Sequence, residues 1–491
     1  MNLIIKNIIA NYVGKLWSII SVFIFIPIYI KILGIESYAI INFHVVLLTI
    51  MYIADAGLTA SFSKEAARSD DKKYLGDLLI STERIYFFIS LFVVVLIFLF
   101  SDIISDNLLQ SESFLKSEIS TYISLMGISI ALQLYMSLYN GGLMGMQKQV
   151  QANGIQIVYG LFRSGIVIIP LYFYPNLHTF FIWQIIINTF FLFFTRNRLH
   201  QYISIKTSKF DLFLLKNIWK FAFGMMGMSL IYALNTQIDK LVVSKMLSLK
   251  DFGYYSLATT ISQIPFIATL PVAVAILPQI TRLTSESNKD NMRNLFHKYS
   301  YIIVSISSII TIILFSFTKE IMMIWVHDEG IVNNTVVIIK ILVIGGFFLS
   351  AQLMPYHLAI AHGHVKTNLK LGIINLIIII PLLVLLTSNY GLVGASIPWL
   401  LINLIGFIVL GYIFIPKFLT KELTRWFLVD TIIPLSISIF VGVPIYFAFR
   451  NKISSYEVLL VASLMGIIAI LFNLIIYNHI YKKNKIILFR M

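Results

Sequence analysis

Fourteen long apolar runs constrain this chain more than any other feature. They lie at roughly 8–32, 38–60, 85–103, 120–144, 153–174, 179–195, 221–247, 252–280, 300–318, 334–360, 367–388, 392–415, 429–449 and 457–480. About twenty mainly apolar residues are what a helix needs to cross a hydrocarbon core about 30 Å thick. The runs are continuous and do not alternate in short segments, which excludes a transmembrane β-barrel. With 58% apolar and 12% charged residues among 491, the chain has too few charges to clothe soluble domains of that total size. The expected fold is an all-α polytopic membrane protein with 14 transmembrane helices. The first run has no small-residue cleavage site ahead of it and reads as a first span, not a removable signal.

The charges orient the runs. Of 37 lysines and arginines, 27 fall in the segments that become internal when the N-terminus is placed inside, and only seven fall outside. The positive-inside rule then puts both termini on the cytoplasmic side. The net charge of +15 is therefore a topological signal, and no nucleic-acid partner is expected. Trp219 and Trp426 at inner boundaries and Trp325 at an outer one read as an aromatic belt. Segment 208–220 alternates apolar and basic positions at helical spacing and reads as an interfacial helix.

An internal repeat divides the runs. Lys31-Ile-Leu-Gly-Ile-Glu36 after run 1 matches Lys245-Met-Leu-Ser-Leu-Lys250 after run 7, 214 residues later. Leu143, Val150 and Asn153 match Leu358, Val365 and Asn368 at an offset of 215, as Leu177 matches Leu392. An offset of six spans preserves orientation, so the halves form a parallel pseudo-twofold repeat, a transporter device in which two bundles rock to open a central cavity alternately. The expected layout is a six-helix bundle over 1–195, a cytoplasmic interfacial linker over 196–220, a second six-helix bundle over 221–415 and two additional helices over 429–480.

Ionisable residues within spans cost about 2.5–3.5 kcal/mol each on insertion scales and need a reason. Arg163 lies ten residues into its run, about 15 Å deep, beyond easy reach of either interface. Its planar fork suits phosphate. Lys240 and Lys340 lie roughly 10 Å below the outer surface, where snorkelling competes with a cavity role. Asp239 and Lys240 are adjacent on one helix, so they point about 100° apart and are not expected to pair. Asp239 either neutralises Lys340 or carries a coupling ion. Lys15 and Asp55 sit at similar inner depth on consecutive spans and read as an ion pair, with proton coupling the alternative. His44 and His357 read as hydrogen-bonded core. His362-Gly-His364 lacks a third ligand nearby and makes a poor metal site. Pro265 and Pro271 mark a hinge in run 8. Tyr135, Tyr139 and Tyr232 are candidates to stack on sugar rings. With no cysteine, no Walker loop, no GxSxG and no HExxH, neither an enzyme nor a cofactor or metal is expected.

Several local strings carry a resemblance: Asp55-Ala-Gly57-Leu58 at the end of run 2, Gln237-Ile-Asp239-Lys240 in run 7 and Gly253-Tyr-Tyr-Ser256 opening run 8. With the fourteen-span, 6+6+2 layout, they resemble the polysaccharide-exporter branch of the multidrug/oligosaccharidyl-lipid/polysaccharide superfamily, and more narrowly the Wzx-type O-antigen flippases, on a MATE-like fold. The resemblance implies transfer of an undecaprenyl-pyrophosphate-linked oligosaccharide across the inner membrane, with membrane lipid, a polysaccharide polymerase and a chain-length regulator as candidate partners. A cation-coupled multidrug exporter and a peptidoglycan-precursor (lipid II) flippase are the alternatives within the superfamily. The buried set of Arg163, Lys240 and Lys340 against Asp55 and Asp239 favours an anionic substrate over cationic drugs. An O-antigen polymerase is expected to have a large outer loop, which this chain lacks.

Overall fold

A computed structural model describes residues 3–55, 57–203, 208–286, 288–450 and 456–482, with the side chains of 3–12, 15, 18, 19, 217–221, 223, 365, 481 and 482 outside the description. The described residues form helices and no β-strand. Two compact units divide the chain, Met1–Gly253 and Tyr254–Met491.

The first unit begins with α1 (Leu3–Leu33), α2 (Ile35–Met51), α3 (Leu58–Arg68), α4 (Lys72–Leu108) and α5 (Lys116–Gly145). Next come α6 (Gln149–Gly160), a π-helical segment (Leu161–Ile166) and α7 (Ile168–Phe173). The unit closes with α8 (Leu177–His200), α9 (Leu212–Met246) and the start of α10 (Leu249–Ser262). Within it α5 packs on α3, α4 and α8, α1 packs on α6, and α9 lies against α2, α3 and α4. The second unit contains α11 (Ile264–Ser285), α12 (Lys289–Ser316), α13 (Thr318–Val326), α14 (Glu329–Ala351), α15 (Leu353–Ala361) and α16 (Val365–Phe418). It ends with α17 (Leu423–Arg425), a second π-helical segment (Trp426–Ile432), α18 (Ile433–Phe449) and α19 (Glu457–Lys482). Here α12 is central, touching α11, α14, α18 and α19.

Eleven of the described helical stretches are long and apolar enough to cross a membrane. One of them, Lys366–Phe418, contains two expected spans, broken at Gly391 where the backbone leaves helical geometry (φ 56°, ψ −134°). Apolar residues on several helices stay exposed, for example Phe88, Phe92 and Leu99 on α4 and Leu460, Leu464 and Leu471 on α19. A face of that kind needs lipid beside it. Many polar groups inside are satisfied helix to helix or onto the preceding turn, as in the 2.8 Å contact of Ser308 with Ser438 and the bond from the Thr82 hydroxyl to Leu78 O.

Several local expectations change. Segment 208–220, expected to lead from the interface into the seventh run, does so without a break: Asp211 caps α9 through the Phe213 amide, and α9 then runs to Met246. The expected linker 196–220 is thus helix at both ends, since α8 extends to His200. The compact-unit division falls at 253/254, which places α9 with the first unit. Run 8 breaks between α10 and α11 at Gln263, two residues before Pro265, whose ring cannot continue the preceding helix. Trp426 is buried and packs on Phe407 at 4.7 Å, so it is a core residue and not a belt anchor. The side chain of Trp219 lies outside the described residues.

Two motif glycines acquire reasons. Gly57 caps α3 at φ 68°, and a Cβ there would fall 2.4 Å from the Met225 side chain of α9. Only glycine serves both the left-handed turn and the close approach. At Gly253 a Cβ would lie 2.8 Å from the carbonyl oxygen of Ile35.

Candidate functional site

Arg163 lies in the first π segment. A π turn inserts one extra residue into an α-helix and re-aims the side chains it carries. Two bonds lock Arg163 to α8: its Nε donates to Gln184 Oε1 at 2.7 Å, and Gln184 Nε2 donates back to the Arg163 carbonyl at 3.0 Å. Gln184 is buried. Neighbouring bonds fix the same turn. Trp183 Nε1 donates to Phe162 O at 2.9 Å, and the Tyr29 hydroxyl of α1 donates to Ser164 O. The guanidinium stands 5.8 Å from the ring of Tyr159, whose hydroxyl donates to Asn188 Oδ1 at 2.7 Å, and Asn188 in turn donates to the Ser129 hydroxyl at 2.9 Å.

This network spends one of the five N–H donors of Arg163 and supplies no charge. Among the described residues no carboxylate lies within ion-pair distance of Arg163. Its partner across the helix boundary is a neutral amide. Among the described residues the four donors on Nη1 and Nη2 have no partner, and they form the fork that matches two oxygens of one phosphate. His44 and Tyr52 of the α2 region lie within reach of the Arg163 charge, and Tyr52 also feels Asp55. His44 is buried against Phe181, and among the described residues its Nε2 has no hydrogen-bond partner, nor does Asn42 Oδ1 two residues before it. His44 is thus not the fully bonded core histidine expected. Buried polar atoms left open in this way mark a place where water or ligand completes the bonding.

The other expected site residues separate. Lys240 donates to Thr236 O at 3.4 Å and comes within 4.0 Å of Asp239 Oδ1, so the adjacent pair meets at the outer limit of an ion pair after all. The lysine stem is long enough to fold back across the divergence of the two Cβ directions. Asp55 accepts from Thr59 at 2.6 Å, and Thr59 continues to Tyr86 and Ser137. The side chain of Lys15, the proposed partner of Asp55, lies outside the described residues. Lys340 belongs to the second unit, with its Nζ 5.3 Å from the Phe315 ring centre.

The tyrosines and histidines resolve similarly. Tyr139 donates to Glu83 at 2.7 Å, Tyr135 donates to the Glu83 carbonyl, and Arg196 closes on Glu83 Oε1 at 3.0 Å. Those two rings therefore serve a structural cluster, whereas Tyr232 is exposed on α9. His357 is hydrogen-bonded to Leu353 O at 2.7 Å. His362 stacks on Phe418 at 3.7 Å between ring centres. Burial, with help from His364 and Lys417, holds the His362 ring below the usual histidine range.

Comparison with known proteins agrees with this architecture. The family model described as polysaccharide biosynthesis protein matches residues 4–284, and a second, MatE, matches 225–385. A putative O-antigen transporter of Shigella flexneri is 24% identical over 407 residues, covering 81% of this chain and 94% of the relative. Among solved structures, the lipid II flippase MurJ in an inward closed conformation superposes with a TM-score of 0.74 at 16% identity, covering 97% of this chain and 99% of its own. An inward-facing multidrug resistance MATE family transporter of the MOP superfamily gives 0.71 at 14% identity, covering 87% and 99%. These structures establish the MATE-like fold. The first family model spans more than half of the sequence, and the chain belongs to the polysaccharide biosynthesis protein family.

Proposed function

We propose that the chain is a flippase that moves an undecaprenyl-pyrophosphate-linked oligosaccharide from the inner to the outer leaflet of a bacterial inner membrane by alternating access. The observation that carries this reading is Arg163: a deep guanidinium, clamped by Gln184, with four N–H donors unspent and no carboxylate to neutralise it among the described residues. A cation prepared in this way suits a phosphate and repels a cationic drug. The name of the Shigella relative supports the same substrate class.

In the mechanism, the pyrophosphate exchanges hydration for the Arg163 fork while the polyprenyl tail stays in lipid. Lys240 and Lys340 add positive charge along the route. The headgroup carries about two negative charges, and moving them outward against an inside-negative potential is favourable by about 2.3 kcal/mol per charge per 100 mV. Asp239 tempers Lys240, and Asp55 is held by Thr59.

The test is reconstitution in liposomes with three substrates: an undecaprenyl-pyrophosphate oligosaccharide, lipid II and a cationic dye. Flipping of the first, reduced at least tenfold in Arg163→Ala, supports the reading. Preferential flipping of lipid II assigns the peptidoglycan-precursor alternative. Dye transport that survives Arg163→Ala overturns both.

A further inference from the structure

The second π segment carries a cluster of ionisable groups that substrate binding leaves unused. Asp430 sits within Trp426–Ile432, and its Oδ2 lies 2.5 Å from His297 Nδ1 on α12. The other ring nitrogen, Nε2, lies 3.0 Å from Oε2 of Glu422, the residue that caps α17. The side chains of His297 and Asp430 have no exposure, and that of Glu422 is 13% exposed. Arg293 of α12 approaches Glu422 at 3.5 Å and Asp290 at 3.2 Å, while Arg425 stands 3.9 Å from Glu422. Tyr301 of α12 and Tyr477 of α19 lie within reach of the Asp430 charge.

Hydrogen-bond counting constrains the protons here. A neutral imidazole has one N–H and one lone pair. Both nitrogens of His297 face carboxylate oxygens at hydrogen-bond distance. With a neutral ring and two ionised carboxylates, one of these contacts would set a lone pair against an anionic oxygen, in a place from which water is excluded. Such a contact repels, and the unmade bond is costly when buried. One further proton removes the conflict. On the ring it makes an imidazolium that donates in both directions. On a carboxyl group it donates to the ring's lone pair. Either way three side chains share one proton.

We propose that His297, Asp430 and Glu422 form a proton-binding site that fastens the second π segment to α12. The proton comes from water at the end of α12 that carries Lys289, Asp290 and Arg293, and it passes by Glu422, the most exposed of the three. Its departure lowers the charge of the cluster by one and removes one hydrogen bond to the ring. Nothing in this inference depends on which glycan the chain carries.

The experiment uses the full chain in lipid nanodiscs. The midpoint of thermal unfolding is followed from about pH 5 to about pH 9, across the range in which histidine clusters change charge. pH-difference infrared spectra are recorded in parallel. The folded state holds a proton that the unfolded chain releases, so stability is greatest at low pH and declines as pH rises through release. The wild-type midpoint should fall by several degrees, with coupled imidazole and carboxyl bands in the difference spectrum. His297→Gln keeps a polar group but cannot titrate, and both signals should vanish. A wild-type profile that persists in His297→Gln, or a wild-type midpoint that does not decline as pH rises, overturns the proposal. Should His297→Gln fail to accumulate, Glu422→Gln at the exposed edge replaces it. Removing one acceptor weakens the hold on the proton, so the decline should move to lower pH, and an unmoved profile overturns the site equally.

Discussion

Two π segments, one in each compact unit, place an ionisable residue inside the protein, and they treat it in opposite ways. In the first unit Leu161–Ile166 holds Arg163 by a neutral amide and leaves most of its donors open. In the second unit Trp426–Ile432 holds Asp430 against His297 and closes it from water. The same backbone device therefore serves two ends. A π turn frees one residue from the helical stacking and lets its side chain be aimed. Whether the result is a binding group or a fastening depends on the partner. A glutamine orients a charge without quenching it, whereas a histidine between two carboxylates completes a network.

That contrast can be broken by mutation. The largest effect belongs to Asp430→Ala, which leaves His297 facing an empty position. Losing one partner of a buried charged pair costs about 3–5 kcal/mol, so folded protein should fall sharply in membranes, as read by detergent-resistant fluorescence of a tagged chain. Normal levels would deny Asp430 its fastening role. Next is Arg163→Ala, where the prediction is reversed. Membrane level stays normal and transport falls about tenfold to a hundredfold, the worth of about 1.5–3 kcal/mol in charge-assisted hydrogen bonding. Complementation of a flippase-null strain, scored by surface polysaccharide beside protein level, measures both. Arg163→Lys, which keeps charge without the fork, should fall between.

Gln184→Glu sharpens the comparison by making the first segment resemble the second. A carboxylate at that position pairs with Arg163, so transport should fall severalfold while the unfolding midpoint holds or rises. Unchanged transport would show that an unquenched Arg163 is not required. The smallest effect is expected for Lys340→Met. Its described contact is with the Phe315 ring, and such contacts contribute about 0.5–1 kcal/mol. Transport should drop less than in Arg163→Ala. A larger loss would shift the anion site to the second unit.

Much of the fold was legible because lipid imposes it. The expected apolar runs are mainly helical among the described residues, since a backbone in hydrocarbon has no other local way to satisfy its polar groups. Arg163 was legible for the same reason, because a charge ten residues into such a run must be accounted for. Its partner was not. Gln184 is 21 residues away on another helix, in a run that contains other polar residues, and only packing distinguishes it. His297 and Asp430 were missed because one lies just outside the run 300–318 and the other at the start of 429–449, where a charge is ordinary. The available signal was Asp430 itself, a carboxylate directly inside the start of the run 429–449. Trp426 was misplaced by similar reasoning, since an aromatic at a boundary is an anchor only when its neighbours leave it exposed.

By itself, then, the sequence determined the helical membrane class and the position of each charge along its apolar run, both of which follow from hydrophobic length and charge placement along one dimension, while short local strings carried the family resemblance. Tertiary structure alone decided which charges are quenched. Hydrogen bonds fade over a few tenths of an ångström, and the pairs that matter, Arg163 with Gln184 and His297 with Asp430 and Glu422, join helices that are 21, 133 and 125 residues apart in the chain. No periodicity encodes such a meeting. It is set by helix packing and by two π turns whose single extra residue re-aims Arg163 and Asp430.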